Sequence, residues 1–144
     1  MKFKETSAND LWNLVIGDKI GEGMSREVYI YKPDPQFVVK VEKNAGDFQN
    51  IKEWFIWQEI QFSKDIANFF AQCKSISDNG IYLVQERVTF RTIDEYPNKI
   101  PHFFTDIKCE NFGFIKKQLV CCDYGSTIIS KDWGTKRLRK AEWK

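Results

Sequence analysis

The stretch DIKCENFGF, residues 106–114, is followed after four residues by LVCCDYGS, residues 119–126. Asn111 stands five positions after Asp106, and Asp123 stands twelve positions after Asn111. A carboxylate can accept or orient the proton of a hydroxyl group, and carboxylate and amide oxygens bind Mg²⁺ together with phosphate oxygens and water. Lys108 could neutralise the charge of a phosphoryl group during transfer. The stretch therefore predicts a site for magnesium and phosphate.

Hydrophobic patterns on both sides of this stretch predict an α+β fold. The predicted strands, the last two of which form a hairpin, are residues 28–31, 37–41, 81–88, 112–115 and 119–122. From residue 47 to about residue 70, apolar side chains recur at steps of three and four, which predicts one long helix with Asp47 as its N-cap. Residues 10–20 suit a short helix that leads into a strand, and residues 91–101 suit a loop or one helical turn.

Composition indicates one globular domain rather than a disordered chain, because the 144 residues are 42% hydrophobic and 29% charged. A net charge of +2 gives no reason to expect nucleic acid or a membrane as a partner. Four cysteines without a C-x-x-C pair and a single histidine complete no zinc site. The sequence contains no apolar core of a signal peptide and no window of transmembrane length, so we expect an intracellular, cytoplasmic protein.

A glycine turn precedes the first clear strand, in IGEGMSREVYIYK, residues 20–32. Glycine lets the backbone approach a phosphate closely and present its N–H groups, so Gly21 and Gly23 are candidate phosphate contacts. Arg26 stands where a third glycine would be expected. Its side chain could clamp a phosphate or lie outside the loop.

A lysine, Lys40, lies within the apolar strand pattern VVKVE, where a buried ammonium group needs a partner. The following helix offers Glu53 and Glu59. Glu53 shares a helical face with apolar residues at steps of three, four and seven, and it is the preferred partner, with Glu59 as the alternative.

The order of these motifs resembles the protein kinase superfamily over about residues 14–130. The glycine turn from Gly21 to Val28 resembles the glycine-rich loop, and Val38-Val39-Lys40 resembles the V-A-I-K strand. Asp106-Ile-Lys108-Cys-Glu-Asn111 resembles the D-L-K-P-E-N catalytic loop, and Asp123-Tyr124-Gly125 resembles D-F-G. The resemblance implies a protein-kinase-like fold in a single domain of residues 1–144. Its N-lobe, about residues 10–88, would hold an antiparallel sheet and one long helix, and its strongly truncated C-lobe would be about residues 89–144.

Roles for individual residues follow from the resemblance as expectations. Lys40 would hold the α and β phosphates of ATP while pairing with Glu53 or Glu59. Asp106 would orient the attacking hydroxyl, Lys108 would stabilise phosphoryl charge, and Asn111 and Asp123 would hold Mg²⁺. The remaining nucleotide contacts would come from Gly21, Gly23, Val28 and the backbone of Glu86 to Val88.

The chain also departs from ordinary kinases, mainly by its size. Gln85-Glu86-Arg87-Val88 falls where a hinge would join the two lobes, and only eighteen residues, 88–105, separate this hinge region from Asp106. No A-P-E motif or substrate-binding helices follow Asp123. The chain is thus most similar to reduced kinases, namely the OspG-type effector kinases of enteric pathogens and small kinase-like proteins of phages. A host cytoplasm is then a possible location.

Without the missing helices, one apolar underside needs cover. It comprises Phe103, Phe104, Ile107 and Phe112, and the candidates to cover it are Trp133, Leu138, Trp143, a partner or a second copy. The last fourteen residues, 131–144, hold six cations and two anions. They form either a solvated basic tail or a surface for an acidic partner.

Two functions remain open from the sequence. The first is a minimal protein kinase that binds ATP and Mg²⁺ and transfers the γ-phosphoryl group to a protein hydroxyl or to itself, weakly or when stimulated by a partner. The second is a kinase-like interaction module, or pseudokinase, that binds a protein partner and keeps nucleotide as a structural ligand.

Overall fold

The computed structural model describes residues 8–105, 107–125 and 137–143. It is an α+β fold, as predicted, with a sheet of five antiparallel strands and few helices. In chain order the elements of the first half are α1 (Ala8–Asn13), β1 (Ile16–Glu22), β2 (Arg26–Tyr31), β3 (Phe37–Glu42), α2 (Gln49–Ile60), α3 (Lys64–Ala67), β4 (Cys73–Ile76) and β5 (Tyr82–Glu86). Those of the second half are β6 (Lys99–Pro101), β7 (Phe112–Ile115), β8 (Gln118–Cys121) and β9 (Leu138–Lys140), with 3₁₀ turns at Ile93–Glu95 and Cys109–Asn111.

The five-stranded sheet has the order β1-β2-β3-β5-β4, which places β3 in its centre. Lys40 of β3 lies opposite Val28 of β2 on one side and opposite Leu83 of β5 on the other. The pairings of β3 with both neighbours are regular. The two edge strands are different, because β1 shifts register twice against β2 and β4 shifts once against β5.

The prediction of one long helix over residues 47–70 is wrong. Helix α2 has 12 residues and ends at Ile60, and a separate turn of helix, α3, follows. Residues 61–70 contain no glycine or proline that would stop a helix. Instead, the backbone just after α3 is held by β8, because Cys121 N donates to Phe69 O at 2.7 Å and Ala71 N donates to Cys121 O at 2.9 Å. A continuous helix could not make these bonds.

The start of α2 also differs from the prediction. Phe48 rather than Asp47 is the N-cap, with a left-handed φ of 55° and no hydrogen bond from its side chain. Phe55 and Phe62, which contribute to the apolar pattern in the sequence, are 62% and 88% exposed. The face of α2 that is buried consists of Asn50, Glu53, Trp57 and Ile60, so it carries two polar side chains into the interior.

The second half of the chain builds a small hairpin and a two-stranded ribbon against the same core. The predicted hairpin is confirmed as β7 and β8. β6 pairs with β9, and neither of these two strands nor β4 was predicted from the sequence, in which residues 91–101 suited a loop or one helical turn. One main core joins both halves of the chain, since it includes Trp57 and Leu83 together with Phe104, Phe112 and Tyr124.

The apolar underside expected from the missing helices is covered within the chain. Its four residues, Phe103, Phe104, Ile107 and Phe112, are all buried. The Trp143 ring lies 4.8 Å from the Tyr96 ring and 5.2 Å from the Phe112 ring. Its Nε1 donates to Pro97 O at 2.8 Å. Leu138 is 61% exposed and takes no comparable part, and Trp133 lies outside the described residues.

Within residues 8–105, 107–125 and 137–143, no helix has the length and apolar character needed to cross a membrane.

Candidate functional site

A cleft of about 970 Å³ opens beside the central strands, a volume suited to a small organic ligand. Its wall is formed by the turn between β1 and β2, part of β3, the end of β5 with the residues after it, and the residues just before β7 and just after β8. Apolar side chains in its wall are Ile20, Val28, Val38, Val88 and Phe90. Cationic side chains in its wall are Arg26, Lys40, Lys43, Arg87 and Lys108, and acidic side chains there are Glu22, Glu86, Glu110 and Asp123. The cleft therefore combines apolar surface with five cationic and four acidic side chains.

Glu53 of α2 is the buried centre of the charged group behind this cleft. It is fully buried, and its carboxylate accepts hydrogen bonds from Arg26 Nη2 at 2.6 Å, Lys40 Nζ at 3.0 Å, Gln85 Nε2 at 3.0 Å and Gly125 N at 3.0 Å. Burial alone would raise the pKa of Glu53, but the charges of Arg26 and Lys40 hold that pKa at about 2. The carboxylate is thus ionised and fully paired.

Lys40 meets Glu53 and not Glu59, which is exposed on the outer face of α2. Only 6% of Lys40 is exposed, and its Nζ also donates to the Cys122 carbonyl oxygen. The structure therefore distinguishes between the two carboxylates that the sequence left open. The ammonium group both reaches a buried partner and lines the cleft.

Arg26, the first residue of β2, neither lies outside the loop nor reaches into the cleft to clamp a ligand. It is 6% exposed and turns inward, where it donates to Asn50 Oδ1 at 3.0 Å, Glu53 Oε2 at 2.6 Å and Asp123 Oδ1 at 2.8 Å. Burial would lower the pKa of the guanidinium, but the Glu53 and Asp123 carboxylates raise it. Arg26 is thus a permanent buried cation between two carboxylates.

Besides Gln85, one further residue of this group was not predicted from the sequence, namely Asn50. Its Oδ1 accepts from Arg26, and its Nδ2 donates to Lys40 O at 3.0 Å and Ile81 O at 2.8 Å. Asn50 lies three positions before Glu53 and seven before Trp57, on the same helical face. A polar residue at that position of an inward face is the signal that could have identified it.

Asn111 and Asp123 are held next to each other by the backbone. Cys122 N and Asp123 N both donate to Asn111 O, at 2.8 and 3.3 Å, and both Asn111 and Asp123 line the cleft. The Asp123 side chain is 39% exposed. Burial raises the pKa of Asp123, against the opposing effect of the Lys40 charge. Lys108 lines the same cleft, whereas Asp106 lies outside the described residues.

These donors do not fit a divalent cation. Asp123 has one carboxylate oxygen bound by Arg26, and Asn111 supplies only a neutral amide. In the described part of the chain, no group of three or more histidine, cysteine, aspartate or glutamate side chains is arranged to hold a metal ion. Sites for Mg²⁺ normally contain one or two carboxylates that are available to the ion. The predicted magnesium ligands are therefore adjacent, but the carboxylate already has a cation.

The end of β5 and the two residues after it, Glu86 to Val88, contain the backbone groups predicted to contact a nucleotide. Glu86 N donates to Gln72 O at 2.9 Å and Arg87 N donates to Gln36 O at 2.8 Å, so these two N–H groups are engaged. The next N–H along the chain belongs to Val88. The Val88 side chain packs closely on Gly113, since a Cβ added at Gly113 would lie 2.5 Å from Val88 Cγ2. The segment is therefore fixed from both sides.

Gly21 and Gly23 lie in the turn that forms one wall of the cleft. A Cβ at Gly21 would come no closer than 3.6 Å to Val28, and a Cβ at Gly23 would come no closer than 3.9 Å to Arg26 O. Both distances are ordinary contacts, so packing within the described chain gives no reason for glycine at either position.

No protein-family model matches the chain, and no curated protein was found to be similar to it.

Proposed function

We propose that the chain binds ATP in this cleft and transfers its γ-phosphoryl group to a protein hydroxyl, on another protein or on itself. The observation that carries the proposal is the buried ion pair of Lys40 with Glu53, which holds an ammonium group at 3.0 Å from its counter-ion in the wall of the cleft. Phosphoryl transfer by proteins depends on such fixed positive charge near the phosphates. The fold proposed with it is that of a reduced kinase, in which α2 is the helix that carries the glutamate.

The two glycines of the turn support a ligand at this wall. Because neighbouring atoms leave room for a Cβ at Gly21 and Gly23, we attribute the glycines to the close approach of phosphate groups to the backbone. The apolar side chains of Val28, Val38 and Val88 would enclose the base, and the Val88 N–H would be its hydrogen-bond donor.

The roles proposed for Lys40 and Lys108 follow the positions of their side chains in the cleft wall, and the role proposed for Asp106 follows from the resemblance to protein kinases. Lys40 would bind the phosphates, Lys108 would neutralise the phosphoryl group, and Asp106 would orient the acceptor hydroxyl. Mg²⁺ would supply further charge neutralisation in such a reaction. Since the described donors do not fit the ion, we assign it no step.

A second candidate function is favoured by the contact of Arg26 with Asp123. A carboxylate that is neutralised by a buried arginine is poorly placed for metal-assisted transfer. A protein with this site could keep nucleotide as a structural ligand while it binds a protein partner. A protein partner or substrate is part of both proposals.

The test combines thermal unfolding with γ-labelled ATP. Ligand at a hundredfold excess over Kd stabilises a protein by about 2.7 kcal/mol, which is measurable as a rise in Tm. We expect wild type to be stabilised and to carry or transfer label, Asp106→Asn to be stabilised without label, and Lys40→Ala to show neither. Lys52→Ala, on the exposed surface of α2, is the matched control and should behave as wild type.

Each outcome of this test separates the two proposals. Stabilisation of wild type without label in the presence of candidate partners would favour the interaction module. Absence of both signals from wild type would refute nucleotide binding altogether.

A further inference from the structure

Arg26 lies at Asp123, which the sequence predicts as a metal ligand. Its Nη2 is 2.6 Å from Glu53 Oε2 and 2.8 Å from Asp123 Oδ1, and the residue is 6% exposed. This is a charge-assisted contact at the length of a strong hydrogen bond. A cation of the protein itself therefore lies against the Asp123 carboxylate.

The charges of the group balance in this state. Arg26 and Lys40 are positive, and Glu53 and Asp123 are negative, so the four side chains sum to zero. With a glycine at position 26, the sum would be −1 and Asp123 would lack the cation that touches it. Charges held close together at a part-buried site interact more strongly than in water, so adding a divalent ion to the neutral group is less favourable than adding it to the negative one.

Arg26 is also fixed in place. Its guanidinium donates to acceptors in α2, at Asn50 and Glu53, and to Asp123 beyond β8. Its backbone is held as well, since Gly23 N donates to Arg26 O at 2.8 Å. Moving the side chain aside for a metal ion would break three hydrogen bonds and leave Asp123 without this partner. The arrangement is thus a built site rather than a passing surface contact.

We infer that the guanidinium of Arg26 takes the place of a divalent cation at Asp123, so that the cleft accepts a nucleoside triphosphate without metal. The charge of the phosphates is then met by protein cations in the cleft wall, namely Lys40 and Lys108. Lys43 in the same wall is paired with Glu22 at 2.9 Å. The part of the inference that concerns nucleotide rests on the proposed function. The part that concerns Asp123 does not.

Manganese binding to the nucleotide-free protein tests the Asp123 part. Free Mn²⁺ gives an electron paramagnetic resonance signal that falls on binding, so a titration reports affinity without any activity. We expect wild type to leave the signal unchanged up to roughly millimolar Mn²⁺, and Arg26→Met to bind at least about tenfold more tightly. Arg87→Met removes a cation from the same cleft wall without touching Asp123, and it should match wild type.

If the affinity of wild type for Mn²⁺ lies within about threefold of that of Arg26→Met, the inference is overturned. If Arg26→Met does not fold, wild type still decides: Mn²⁺ that binds wild type and is lost in Asp123→Asn refutes the inference, and absence of binding supports it.

Nucleotide affinity is then measured with trinitrophenyl-ATP in excess EDTA and in excess MgCl₂. We expect the two Kd values for wild type to agree within about threefold, whereas a loss of more than about tenfold in EDTA would contradict metal-free binding. Failure to bind in either solution would instead reject the proposed function, and the manganese titration would still decide the role of Arg26.

Discussion

Replacing Glu53 with glutamine tests whether one carboxylate holds the interior of the site together. The change keeps the size of the side chain and removes its charge. Arg26 and Lys40, both 6% exposed, would lose the counter-ion that they share, and Gly125 N would lose a charged acceptor. Asp123 would remain for Arg26, but Lys40 would keep only the neutral carbonyl of Cys122.

We expect Glu53→Gln to lower the free energy of unfolding by a large amount for so small a chemical change. Removing one partner of a buried ion pair destabilises proteins by about 3–5 kcal/mol, because the remaining charge is left unpaired. The pKa of Glu53 indicates a loss of free energy of unfolding of similar size, since the fall of this pKa from 4.5 to about 2 corresponds to about 3 kcal/mol. For a chain of this length, we expect Glu53→Gln to lower Tm by roughly 10 °C.

Urea unfolding followed by tryptophan fluorescence gives the free energy of unfolding directly. Glu59→Gln is the matched control, because it makes the same chemical change on an exposed position of the same helix and should stay within about 0.5 kcal/mol of wild type. A Glu53→Gln protein whose stability lies within about 1 kcal/mol of wild type would refute the view of Glu53 as an essential shared counter-ion.

The same carboxylate sets a pH dependence. Because its folded-state pKa of about 2 lies below the ordinary value of 4.5, the stability from ionised Glu53 is complete above about pH 4.5 and is lost as the pH falls towards 2. The difference in Tm between wild type and Glu53→Gln should therefore shrink over this interval. A difference that stays constant from pH 5 to pH 2.5 would contradict the assignment.

Three further changes have expected outcomes that are simple to measure. Lys40→Ala should remove the rise in Tm on adding ATP while circular dichroism stays that of a folded protein; retained stabilisation would exclude Lys40 as a phosphate contact. Gly125→Ala places a Cβ 2.7 Å from Gln49 O, a backbone atom that yields little, so urea unfolding should show a loss of about 1–3 kcal/mol. Trp143→Ala removes a ring that packs on Tyr96 and Phe112 and should cost about 2 kcal/mol, with exposed aromatic surface detected by dye binding; unchanged stability would mean that the ring is no part of the core.

Local patterns in the sequence predicted a good part of the fold. Two-residue periodicities predicted the hairpin of β7 and β8 and the central strand with Lys40. A periodicity of three to four residues predicted the inward face of α2 at Glu53. The end of α2 could not be predicted in this way. It depends on backbone bonds between residues 69–71 and Cys121, which are about fifty positions apart in the chain.

For the site, the sequence favoured Glu53 over Glu59 as the partner of Lys40, but it did not predict the direction of the Arg26 side chain. A pattern of glycines describes a turn and predicts that its side chains face a ligand. Whether an arginine in that turn points outward or inward depends on distant acceptors, here Glu53 and Asp123. Asp123 lies 97 positions from Arg26, so their pairing could be learned only from the folded chain.

The uneven pairing of the five-stranded sheet has a consequence for how copies of the chain meet. A second copy can add a strand to a sheet only along a straight row of unpaired N–H and C=O groups. β1 shifts register twice within seven residues, and β4 shifts once within four, whereas the regular pairings lie in the sheet's interior. Among the described strands, irregularity thus falls on the two edge strands of the sheet, where it blunts the template for fibril growth. Association of this protein with itself at high concentration should therefore proceed through side-chain surfaces and not by extension of the sheet.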